Sequence, residues 1–319
     1  MRTPIAFLIF NRPDTTKKVF DLIREAKPPK LLVIADGPRQ DKLGEIEKCM
    51  ATRAIIDLVD WECEVITNYS DVNLGCKLRV SSGIDWVFQQ VEEAIILEDD
   101  CLPDLSFFRY CDELLERYRS DNRIMFISGD NFQFGRKSTT DSYYFSKCIS
   151  STPPIWGWAT WRRAWKYYDV DIKLWETIAA SDWLEDILRD KAAVKLWQQK
   201  FQSVYDHRFD TWDFQWVFAC WSQSGLTICP NINLVSNIGY GSDATHSKSR
   251  LSEFANIPTE SMSFPLQHSK LMIRDTQADR YSKDSMKRLT RIRQIIANPL
   301  RLKLIFDNYR NSQKNSTKN

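Results

Sequence analysis

Residues 94–104, AIILEDDCLPD, run from an apolar strand directly into three adjacent carboxylates. Ala94, Ile95, Ile96 and Leu97 read as a buried strand. Glu98, Asp99 and Asp100 follow without a break. Side by side they repel, and burying them unpaired is costly for each. A cation that belongs at this strand end accounts for the arrangement. The competing reading is helix capping, because Asp100 and Asp104 precede a helical stretch and acids are favoured at such a start. Capping alone does not call for three acids on a buried strand.

The pattern around this stretch sets the fold. Apolar strands are expected at 4–10, 31–35, 63–67, 94–97 and 124–128, separated by helices at 14–26, 45–58, 81–90 and 105–118. Strand–helix alternation of this kind implies an α/β fold, Rossmann-like, with a mostly parallel central sheet and helices on both faces. Ligands then bind beyond the carboxyl ends of the strands. Three strands end there in polar residues: FNRPD at 10–14, ADGP at 35–38 and LEDD at 97–100.

Past residue 130 the texture changes. The stretch 152–169, TPPIWGWATWRRAWKYYD, is aromatic, and Trp158, Trp161 and Trp165 have the three- and four-residue spacing of one helix face. Their simplest role is core packing. Trp156, in the loop before them, is the better candidate for stacking on a sugar. Further helices are expected at 182–188 and 192–205. No charge occurs between Asp213 and Asp243, but Pro230, Asn231, Asn233 and Asn237 interrupt that stretch. A buried helix followed by strands and loops fits it better than a membrane span.

Composition excludes several classes. The net charge of +2 over 319 residues gives no general affinity for nucleic acid. Eight cysteines without a CxxC pair read as free thiols in a reducing compartment. The opening apolar run stops at Asn11 and Arg12, too early for a secretory segment. A cytoplasmic location is the expectation. From Lys283 onward ten Lys or Arg face Asp284 and Asp307, a local net of +8. This basic tail reads either as a solvated helix or as a means of docking on an anionic membrane surface. There is no GxGxxG after the first strand and no GxxxxGK[ST], which argues against a dinucleotide oxidoreductase and a P-loop enzyme. If a diphosphate binds, metal and basic side chains must neutralise it.

Taken in order, FNRP, ADG, NLGCKLRVSSGI and ILEDD resemble the nucleotide-sugar half of a GT-A glycosyltransferase. ILEDD stands where that fold carries its DXD-type metal motif. Motif order most resembles the N-acetylglucosaminyltransferase I family. ISGDNFQFG matches that family's VSAWNDNG-like loop, GWATWRRAW its Gly-Trp segment, TWDFQW its WDDW, and NIGYGSDATH its closing loop with SHG. The match covers residues 4 to 247. WDFQW has a single acid, and ATHSK lacks the Gly after His.

The resemblance implies a GT-A type α/β fold, with residues 1–130 as the nucleotide-sugar half, 131–250 as the acceptor half and 251–319 as an extension. It implies a metal-dependent, inverting glycosyltransferase. Such an enzyme moves sugar from a nucleoside-diphosphate sugar, a UDP-sugar, to a hydroxyl of a glycan or polysaccharide acceptor, with Mn²⁺ or Mg²⁺ as cofactor. Asn11, Arg12, Asp36, Lys77, Arg79, Glu98, Asp99, Asp130 and Asn131 fall beside the nucleotide sugar. Asp100 is the direct metal ligand, and His246 meets the metal or the diphosphate. Asp213 is the general base, with Trp156 and Trp212 facing the acceptor. Plainer roles stand beside these: Asp36 in a turn with Gly37 and Pro38, Asp213 as a helix cap or a partner of Arg208, His246 as a structural histidine. The rival functions are a sugar-nucleotide pyrophosphorylase, which would want a Gly-rich loop after the first strand, and a non-catalytic carbohydrate-binding protein.

Overall fold

A computed structural model describes residues 1–150, 152–240 and 254–285. In chain order the elements are β1 (Ile5–Ile9), α1 (Pro13–Ala26), β2 (Lys30–Ala35), α2 (Glu45–Ala54, continued by a tight turn over Ile55–Leu58), β3 (Glu64–Tyr69), α3 (Gly75–Gln90), β4 (Glu93–Glu98), β5 (Cys101–Pro103), α4 (Ser106–Arg117), β6 (Ile124–Ser128) and β7 (Tyr143–Ser146). Then follow β8 (Trp158–Trp161), α5 (Arg162–Trp165), α6 (Trp175–Ile178), α7 (Trp183–Leu188), α8 (Lys191–Tyr205), α9 (Asp213–Ser222), β9 (Leu226–Pro230) and β10 (Val235–Asn237).

Eight strands make one sheet in the order β3-β2-β1-β4-β8-β6-β9-β7. β3, β2, β1 and β4 run parallel. β8 is antiparallel to both β4 and β6, so β6 regains the direction of β4. β9 continues parallel to β6, and β7 closes the row antiparallel. β5 and β10 pair as a separate antiparallel ribbon. The expected α/β class with a mostly parallel sheet is therefore present.

Alternation along the strands splits the core into two layers. Ile5, Phe7, Ile9, Ile95, Leu97 and Trp161 face the layer filled by Phe20, Phe107 and Leu114 of α1 and α4. Ala6, Leu8, Ala94, Ile96 and Trp158 face the layer filled by Ile84, Trp165, Trp197 and Trp216. Here one expectation is corrected. Trp158 and Trp161 lie on strand β8, not on a helix with Trp165. Three residues apart on a strand, they point to opposite faces, and both core layers receive an indole. All three are buried, as a packing role requires. Trp also favours strands, and pairing with β4 and β6 decides the conformation.

α3 begins at Gly75, earlier than the helix expected from residue 81. Its start is fixed from outside. Asp36 accepts from the Leu74 and Gly75 amides, and Asp210 accepts from the Lys77 amide at 2.8 Å. The charge-free stretch forms α9, β9 and β10. No helix among the described residues is long and apolar enough to cross a membrane.

In the segment 254–285, Ala255 bridges Asn237 of β10 and the Met262 amide donates to Ser106 Oγ of α4, after which residues 267–279 run along β7. Arg274 forms a parallel bridge with Phe145, and the Asp275 amide donates to the Phe145 carbonyl at 2.8 Å. Asp279 accepts from Ser146 Oγ and from Arg274 Nε. Lys283 Nζ pairs with Asp190 at 2.8 Å. The rest of the basic tail lies outside the described residues.

Candidate functional site

The carboxyl ends of β1 and β4 adjoin, with Leu8 opposite Glu98. Just past β1 the chain turns into α1. The Arg12 carbonyl takes the amide of Thr16 at 3.0 Å and its hydroxyl at 2.7 Å, and Pro13 supplies the preset φ of a first helical residue. That anchors the Arg12 main chain and sends its side chain across the strand ends. Its guanidinium pairs with Asp99, and Nη1 donates to Asp100 Oδ2 at 2.7 Å. The Phe10 amide adds a bond to Asp99 Oδ2 at 3.2 Å. The side chains are 21% exposed for Arg12, 3% for Asp99 and 13% for Asp100, so this charge cluster is largely removed from water.

The electrostatics follow from that burial. Desolvation works against the Arg12 charge, but Asp99 and Asp100 outweigh it and hold the guanidinium firmly protonated. Burial pushes Glu98 above the carboxylate range, and the charges of Asp100 and Asp99 push it further. Asp99 is raised by burial and partly restored by Arg12. Asp104 caps α4 by accepting from the Ser106 amide at 2.9 Å, while Asp100 faces Arg12. Capping therefore explains the outermost acid and leaves the triplet to other work.

Asp213 opens α9 and lies within Coulombic reach of Glu98. It accepts from the Thr211 hydroxyl and from the Phe214 amide at 2.9 Å; Arg208 pairs with Asp206 instead. Burial raises the Asp213 carboxyl, against the pull of Thr211 and of the Lys200 charge. Lys200 Nζ lies 4.0 Å from the Phe214 ring centre, and burial brings its ammonium down to about 8. The Cys76 thiol is raised by its own burial and by Glu98, Asp210, Asp213 and Asp100. Arg12, the acid triplet, Asp213 and Cys76 thus share one electrostatic region.

Other expected site residues are held differently. Asn11 donates to Glu45 Oε1 at 2.8 Å, and Glu45 also binds Arg39. Asp36 accepts from the amides of Gly37, Leu74 and Gly75 and from the Asn73 side chain, so its oxygens serve the turn. Arg79 is buried on the Ala35 and Asn68 carbonyls, tying the ends of β2 and β3 together. Lys77 Nζ reaches Asp171 at 3.4 Å and His207 Nδ1 at 3.3 Å. Asn131 joins the Pro230 carbonyl, the Gln133 amide and Asn233.

Asp130 is 1% exposed. Its Oδ2 accepts from the Trp156 amide at 2.8 Å, while Oδ1 has no partner among the described residues and the group lines a small cavity with Cys148, Cys229 and Asp279. Burial raises its carboxyl well above the ordinary range. Trp156 is half-buried against Phe132, Tyr240 and Phe254. Trp212, expected to face an acceptor, is instead 4% exposed and stacked on Trp158. A flat ring beside a layer of indoles loses less by joining it than by facing water. His246 lies outside the described residues.

Asp99 and Asp100 offer hard carboxylate oxygens, the donor chemistry of Mg²⁺ or Mn²⁺. Among the described residues no group of three or more His, Cys, Asp or Glu side chains is arranged to hold a metal ion. The pair fits a divalent ion that brings most of its ligands with it as phosphate oxygens and water. Among the described residues, the positive charge paired with these oxygens is Arg12. Sequence reading did not single out Arg39, Glu45, Lys200 or Cys76. For Arg39 and Glu45 the signal available was DGPRQDKLGE at 36–45, a polar loop following a strand at the carboxyl-end rim.

No protein-family model and no curated protein sequence matches the chain. Among solved structures, a 4-diphosphocytidyl-2C-methyl-D-erythritol synthase from Anaerococcus prevotii is 9% identical, with 89% of this chain and 99% of that one covered at a TM-score of 0.37. A UDP-glucose pyrophosphorylase complexed with UDP-glucose is 10% identical, covering 52% and 79% at 0.31. Mouse xyloside xylosyltransferase 1 is 10% identical, covering 68% and 81% at 0.31. Likenesses this distant carry no argument, and the fold and site stand on the chain's own topology and residues.

Proposed function

We propose that the chain is a glycosyltransferase that uses a nucleoside-diphosphate sugar, a UDP-sugar, and a hydroxyl of a glycan acceptor. One observation carries the reading. A largely buried cation–carboxylate cluster sits at the carboxyl ends of two adjacent parallel strands, with a further, half-buried carboxylate, Asp213, in electrostatic range. Donor recognition falls to Asn11, Arg12, Glu98 and Asp99, and Asp99 and Asp100 would hold the Mg²⁺ or Mn²⁺. When bound, that ion supplies positive charge against the growing charge of the diphosphate.

Asp213, made more basic by burial, accepts the acceptor O–H proton. The oxygen then bonds to the anomeric carbon as the bond from that carbon to the diphosphate breaks. Nucleoside diphosphate leaves, and attack opposite it inverts the centre. A positioned base of this kind is worth about 10² to 10⁴ in rate. Arg12, once freed from the carboxylates, is the chain's own partner for the diphosphate oxygens.

The test is a panel of sugar nucleotides with Mn²⁺ or with EDTA, scored for product. Released nucleoside diphosphate supports the proposal. Pyrophosphate release on adding a nucleoside triphosphate and sugar phosphate replaces it with the pyrophosphorylase reading. Sugar binding indifferent to EDTA, without donor turnover, replaces it with a binding protein.

A further inference from the structure

Two adjacent carboxylates share one guanidinium, each taking its own nitrogen of Arg12. The pairing spans residues 87 and 88 apart in sequence, so it is built by the meeting of β1 and β4 rather than by local chain geometry. Segment 237–239 closes over it. The Ile238 amide donates to the Asp100 carbonyl at 2.9 Å, and a Cβ added to Gly239 would run into both Asp100 Oδ2 and Arg12 Nη1. A Cβ there would have to push these two side-chain ends aside, because the Gly239 backbone lies directly on the ion pair.

The geometry points to Arg12 as a competitor for the divalent ion. It is a latch that makes metal and diphosphate bind together rather than singly, and this rests on the function proposed above. An ion arriving alone must take oxygens that Arg12 already holds. It would leave a guanidinium buried beside a second cation, which is doubly unfavourable. A diphosphate arriving with the ion supplies the displaced guanidinium with a new anionic partner, to which it can donate two parallel bonds. Each ligand then raises the affinity for the other, and by linkage the two effects are equal. The main chain of Arg12 need not move, because its carbonyl is fixed by Thr16. The side chain alone changes partner.

The experiment titrates Mn²⁺ into the full chain with and without UDP, following free Mn²⁺ by electron paramagnetic resonance and thermal midpoint by fluorimetry. It compares the wild type with Arg12→Gln and Arg12→Lys. In the wild type, UDP is expected to tighten Mn²⁺ binding at least about tenfold. In Arg12→Gln, Mn²⁺ alone binds about tenfold tighter than in the wild type, and the gain from UDP largely disappears. Arg12→Lys, with one compact charge that cannot bridge both carboxylates, falls between them. Adding Asp100→Asn to Arg12→Gln removes the new Mn²⁺ affinity.

Where UDP itself binds, wild-type Mn²⁺ binding as tight alone as with UDP overturns the latch. So does an Arg12→Gln or Arg12→Lys protein, folded by its thermal transition, that gains no Mn²⁺ affinity. If UDP never binds yet Arg12→Gln gains Mn²⁺, the competition stands and the sugar-nucleotide reading falls.

Discussion

Two strand ends of the same sheet treat their acids in opposite ways. After β2, Asp36 is met by three main-chain amides and the Asn73 amide. After β4, Asp99 and Asp100 are met chiefly by one long side chain, Arg12. Main-chain partners cannot leave without unmaking the turn and the start of α3. A guanidinium can leave by rotating its side chain. All three acids lie on the carboxyl-end rim of the sheet, and all three are buried. The identity of the partner separates an acid that builds the rim from acids able to work on it.

This contrast can be broken by substitution. The largest effect falls between the two cases, at Asp213, whose partners are a hydroxyl and an amide. Asp213→Asn should cut turnover by about 10² to 10⁴ while UDP affinity is unchanged. Steady-state kinetics beside a UDP titration measure this, and normal turnover would place the base elsewhere. Next comes the direct comparison by denaturant unfolding. Asp36→Ala leaves buried donors unpaired and should cost about 3 kcal/mol. Asp100→Asn keeps an oxygen for Arg12, leaves Asp99 paired with it and relieves repulsion in the triplet, so it should cost about 1 kcal/mol or less. Equal costs would erase the distinction between main-chain and side-chain partnership.

A subtler test uses Asp130, an acid with neither kind of full partnership. Its folded carboxyl is raised above the ordinary 3.8. The protonated form is thus favoured by folding, so this contribution is complete below the unfolded value and is lost as pH rises through the folded one. Stability should fall by at most about 1.4 kcal/mol per pH unit in that window, and Asp130→Asn should remove that slope. Unfolding curves from pH 4 to 8 provide the check, and parallel profiles for the two proteins would place a charged Asp130 in the fold.

Much of the architecture of the first 130 residues was legible in sequence. The first strands are continuous apolar runs punctuated by polar rims, and that pattern needs no long-range information. β8 was misread because Trp158, Trp161 and Trp165 satisfy a helical spacing. The deciding influence is pairing with β4 and β6, which a local window does not contain. The β5–β10 ribbon joins residues 101–103 to 235–237 and left no local signal. At the site, residue types were readable and partners were not. ADG looked the same whether Asp36 faced a ligand or a turn. FNRP and LEDD both stood out, yet nothing in either fragment showed that Arg12 would reach Asp99 and Asp100. Trp212 shows the same limit, since an indole beside an acid reads as a sugar platform until Trp158 is found stacked on it.

The strap over β7 has a consequence for how the molecule is made. Ser146 ends the outermost strand, and Asp279, which accepts from it, comes 133 residues later. During synthesis that border of the sheet emerges long before its cover does. Until residues 274–279 arrive, the outer amides and carbonyls of β7 are open to any other extended chain, including a second nascent copy. The hazard is therefore one of timing: slow translation of the last third of the chain prolongs the interval in which two unfinished molecules can join edge to edge.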